Sequence, residues 1–62
     1  MTNSKAITAA VQFTAGNYEK VCRMLSDTSV TFQDIEKAFK MEGYHNETIS
    51  QVLALAKQIR NS

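Results

Sequence analysis

Apolar residues recur along this chain at the three- and four-residue spacing of an α-helix, and no stretch alternates apolar with polar like a half-buried strand. The first helical stretch begins after Asn3 or Ser4 and runs to about Thr14. Ala6, Ala10 and Phe13 line one face, with Ile7 and Val11 beside them. Gly16 is the expected left-handed stop, because glycine has no Cβ to clash there. Asn17 then caps a second helix, whose Tyr18, Val21, Cys22 and Leu25 form a complete i, i+3, i+4, i+7 stripe. Ser26-Asp27-Thr28-Ser29 is a polar connector of residues that hydrogen-bond their own backbone.

The third helix carries the strongest start signal. Thr31 is its cap, Asp34 can reach back as a short-armed capping box, and Val30 with Ile35 occupy the two positions of a hydrophobic staple. Phe32, Ile35 and Phe39 give its buried face, with Ala38 next to it. Gly43 ends this helix, and Tyr44 is placed to fold back on the last turn. Asn46 is the expected cap of a fourth helix, with Glu47 in its positive first turn. Ile49, Val52, Leu53, Ala56 and Ile59 form the inward stripe, and Lys57 and Arg60 suit the negative C-terminal end. The pattern predicts an all-α fold: one domain, residues 1–62, built as a compact bundle of four short helices.

Composition narrows the function classes. A chain of 62 residues has room for one small core, burying roughly 60% of its unfolded surface, and gains stability from pairing. A homodimer is therefore expected, with Leu55, Ile59, Met24 and Met41 as the apolar interface. The one cysteine, Cys22, cannot bridge internally and reads as a small core hydrophobe in a reducing, cytoplasmic setting. No secretory leader or membrane-length apolar run is visible. No metal site or cofactor is expected, since no second Cys or His accompanies Cys22 and His45. Neither Asp34 with Glu36 nor Glu42 with Glu47 shares a helix face, and no nucleophile–base set or phosphate loop exists. The chain reads as a binding protein with no catalytic residues and no small-molecule substrate.

One segment points to a ligand. Residues 35–54 pair a helix containing the small residue Ala38 with a Gly43-Tyr44 turn, followed by Thr48-Ile49-Ser50-Gln51-Val52. This resembles the helix-turn-helix of phage-repressor-like DNA-binding regulators, and it covers about a third of the chain. Ala38 stands five residues before Gly43 where four is usual, and Glu42 replaces an apolar residue; one extra residue in the first helix or the turn reconciles both. The resemblance implies that the last two helices form the DNA-reading unit. Ile49, Val52 and Ala56 lie within about 60° of one another, while Glu47, Ser50, Gln51 and Ala54 fall opposite. His45, Asn46, Glu47, Ser50 and Gln51 would then contact bases, and Lys37, Lys40, Thr48 and Lys57 phosphates of double-stranded DNA.

A small DNA-binding transcriptional regulator is therefore the leading expectation, and charge counts against it. The net charge is +1, and residues 31–62 balance at four cations against four anions, whereas nucleic-acid binders carry a basic face. A protein-interaction module or inhibitor of the phage or plasmid type fits the near-neutral surface, the flank position of Leu55 and the off-stripe Met24 and Met41. Met41-Glu42-Gly43-Tyr44 also looks like the loop of ubiquitin-associated domains, and Ala15-Gly16-Asn17-Tyr18-Glu19-Lys20-Val21 resembles a later part of that family, but the order of the two is reversed here and Glu42 interrupts the loop. The two main classes separate on which charges surround the start of the fourth helix.

Overall fold

Four helices form where the stripes place them: α1 (Ser4–Thr14), α2 (Tyr18–Leu25), α3 (Phe32–Met41) and α4 (Asn46–Arg60). The computed structural model describes residues 3–62, so Met1 and Thr2 of the expected domain lie outside the described residues. Among the described residues there is no strand, and the chain packs into a body of 29 × 24 × 22 Å around one core. α1 packs on α2 and α3, and α4 packs on the same two helices. α1 and α4 are thus diagonal neighbours, without backbone contact.

Local chemistry sets the helix ends. Gly16 and Gly43 adopt φ of +80° and +90°, the only positive values among the described residues. Each ends its helix in the same double bond pattern. Gly16 N–H donates to Phe13 and Asn17 N–H to Gln12, as Gly43 N–H does to Lys40 and Tyr44 N–H to Phe39. These are Schellman closures, which need the left-handed residue. At the start of α3 the capping box is complete: Asp34 N–H donates to Thr31 Oγ1 at 3.0 Å, and Thr31 N–H to Asp34 Oδ2 at 3.2 Å. Thr31→Ala removes one of these and should cost about 1 kcal/mol in urea denaturation, with Thr31→Ser restoring most of it.

α2 has no glycine stop, and its end is closed from elsewhere in the chain. Arg60, in the last turn of α4, donates from Nε to the Leu25 carbonyl at 2.8 Å. Its Nη2 donates to Asp27 O at 3.0 Å and Val30 O at 2.7 Å. Arg60 therefore does more than answer the dipole of its own helix. Asp27 organises the same connector: Oδ1 accepts from the Ser29 N–H and hydroxyl, and Oδ2 from Lys5 Nζ at 2.7 Å. The Lys5 ammonium, followed by the Ser29 donors, holds the Asp27 carboxyl well below the usual carboxylate range.

The core is thin. Of its twelve buried residues, Ala6, Ala9, Ala10, Ala38 and Ala56 are alanines, so close helix approach replaces bulky filling. Phe39, Leu25, Ile35, Val21 and Val30 are the large side chains sealed inside. Three expectations are corrected. Phe32, expected inward, is 37% exposed and lies flat under Arg60 and Lys57, at 4.9 and 5.7 Å from its ring centre. Tyr18, on the expected stripe of α2, is 58% exposed, with its ring edge-on to Phe13 at 5.6 Å. Cys22, expected in the core, is half-buried at its margin, because the inward direction of α2 centres on Val21 and Leu25. Phe32 and Tyr18 are each the first residue of a helix, where the stripe runs past the end of its neighbours.

Candidate interaction face on the fourth helix

α4 buries Ile49, Val52 and Ala56 and leaves Glu47, Ser50, Gln51 and Ala54 exposed, so the two-sided expectation for this helix holds. Its start differs from the expectation for Asn46. Ile49 N–H closes the first turn on the His45 carbonyl at 3.0 Å, so His45 takes the cap position and Asn46 is already helical. His45 makes no side-chain bond to the helix, and its imidazole and Asn46 both face solvent.

Tyr44 anchors the turn before α4. Its ring stands perpendicular to Phe13 at 5.4 Å and tilted against Phe39 at the same distance. Its hydroxyl meets Thr14 Oγ1 at 2.6 Å. This aromatic cluster fixes the start of α4 against the end of α1. Because α1 and α4 do not touch through their backbones, a shallow cleft of about 150 Å³ opens between them, lined by Phe13, Thr48, Gln51, Val52 and Leu55. Phe13, Val52 and Leu55 make its apolar walls, and Thr48 and Gln51 its polar rim.

The charges around this face are unevenly placed. Ion pairs among the described residues join Lys5 to Asp27, Arg23 to Glu19 and Lys40 to Glu36. Glu47, one turn before Gln51 on the same flank, and Glu42, at the end of α3, take part in none of them. The cations expected at phosphates are spread differently. Lys40 leans on Glu36 at 3.8 Å. Lys57 is on the Ser50 side but two turns along, about 10 Å, with its ammonium over Phe32. Lys37 is exposed on α3. Arg60 is engaged by three carbonyls.

The structure therefore gathers Glu47, Ser50 and Gln51 on one exposed side of α4, next to His45 and Asn46. Thr48, expected at a phosphate, turns half-buried into the cleft. Leu55, Ile59 and Met24, expected at a dimer interface, are half-buried and pack against the core, leaving only part of each for a second copy. Met41 is 69% exposed on the last turn of α3. Phe13 was legible only as a core residue; its place at the end of the α1 stripe, one turn before Gly16, is the signal that it could border an opening. Among the described residues no three His, Cys, Asp or Glu side chains come together in a way that could hold a metal, and no helix is long and apolar enough to cross a membrane. Set against known proteins, the chain matches no family model, no curated protein and no solved structure.

Proposed function

We propose that this is a non-enzymatic protein-interaction module of the cytoplasm that docks a protein target on the α1–α4 cleft. The observation that carries the reading is the pairing of an apolar cleft with carboxylates, Glu47 beside it and Glu42 before the turn, that join no ion pair among the described residues. A phosphate backbone approaching the start of α4 would meet the exposed carboxylates of Glu47 and Glu42, and like charges brought together suppress association. A protein surface has no such conflict, and an apolar notch with a polar rim is what protein interfaces are built on.

A second reading, DNA binding through α4, is favoured by the exposed Ser50 and Gln51, whose side chains suit base edges. Titration of fluorescent random-sequence duplex at about 50 mM salt separates the two, since phosphate contacts are strong there. No rise in anisotropy is expected at tens of micromolar protein. Binding that weakens steeply with salt, and that Gln51→Ala shifts at one base position by about 1–3 kcal/mol, would replace protein docking with the helix-turn-helix reading.

A further inference from the structure

The chemistry of the cleft narrows what can occupy it. A dry volume near 150 Å³ takes one group about the size of benzene, so the cleft of about 150 Å³ between Phe13, Val52 and Leu55 fits a single Leu or Phe side chain. With no strand among the described residues, an incoming chain has no sheet edge to extend. A cleft flanked by helices suits the helix-in-groove mode, in which an incoming helix presents one apolar anchor and flanking residues three or four positions away. Glu47 precedes Gln51, a rim residue, by four positions, so its carboxylate stands about one turn from the cleft on the same flank. It is exposed and joins no ion pair among the described residues.

We propose that the occupant is a basic amphipathic helix of the partner protein, one apolar side chain seated against Phe13, Val52 and Leu55 and a Lys or Arg one turn away on Glu47. The proposal rests on the protein-docking reading above and adds the chemistry of the partner to it. The open N–H groups at the start of α4, where His45 provides no cap, offer the opposite preference, for a carboxylate. The sign of the partner's charge is therefore a real choice, and Glu47 decides it.

The test uses the whole 62-residue chain, labelled with nitrogen-15, and model helices in which leucines at helical spacing are combined with lysines, glutamates or glutamines. The lysine helix is expected to move the amides of Thr48, Gln51 and Leu55, and to bind at least tenfold more tightly than the glutamate helix. Replacing its leucines by alanine should abolish those shifts, and Glu47→Gln should reduce the lysine preference several-fold without altering the fold. Equal or tighter binding of the glutamate helix at the same amides would overturn the basic partner and leave the docking reading standing. Concentration-dependent shifts of those amides with no peptide present would name a second copy as the occupant and overturn it too. Failure of every helix to move them would remove both the basic partner and the docking site.

Discussion

Arg60→Ala should lower the unfolding free energy by about 2–4 kcal/mol, because three carbonyls lose a charged donor. The stacking of the guanidinium on Phe32, worth about 0.5–1 kcal/mol, goes with it. Arg60→Lys should recover little, since an ammonium cannot bridge Leu25 O, Asp27 O and Val30 O with the fixed fork of Nε and Nη2. Urea unfolding of the two variants beside the parent chain measures this. Nearly full recovery by lysine would mean that charge alone, and not the fork, closes the end of α2. Amide exchange gives a local readout: protection at Ser26, whose N–H donates to Cys22 O in the last turn of α2, and at Val30, whose N–H donates to Asp27 O, should fall more than at Ile49.

Phe39→Ala should have the largest effect of any single substitution. Phe39 is sealed at the centre of the bundle, 5.5 Å from Phe13 and 5.4 Å from Tyr44 between ring centres. Truncating a buried phenylalanine costs about 3–5 kcal/mol, and a domain of this length has about 3–9 kcal/mol in all. Far-ultraviolet circular dichroism at 25 °C should show substantial loss of helix, whereas Phe39→Leu should stay folded with a lowered midpoint. A well-folded Phe39→Ala protein would show that the alanine-lined helices can close over the space it leaves.

Most of the fold was legible because its signals are local. The capping box of Thr31 and Asp34, the glycine stops at 16 and 43 and the inward stripe of α4 depend on residues within one or two turns. The misplacements come from tertiary geometry. Phe32 and Tyr18 obey the helical period yet sit at helix starts that overhang the core. Asn46 has the better capping chemistry, but the turn set by Gly43 and Tyr44 puts His45 in the cap position. Arg60 looked like a partner for its own helix dipole, because nothing in sequence places it beside carbonyls 30 to 35 residues away. The candidate face was half legible. The exposed side of α4 follows from its period, but the cleft exists only because α1 and α4 are diagonal, and the charge distribution around it depends on which lysines find carboxylates.

The diagonal arrangement also bears on how the chain assembles. Each hairpin, α1 with α2 and α3 with α4, is close in sequence, but each helix of one also packs on a helix of the other, α1 on α3 and α2 on α4. The two hairpins thus lie side by side, with α1 and α4 on one diagonal and α2 and α3 on the other. The first holds mainly alanines with Val21 and Leu25, and the second holds Ile35 and Phe39. Neither can bury its apolar face alone. Folding is therefore expected to be a single cooperative transition, as is usual for small single domains, with the hairpins joined through the connector at 26–29.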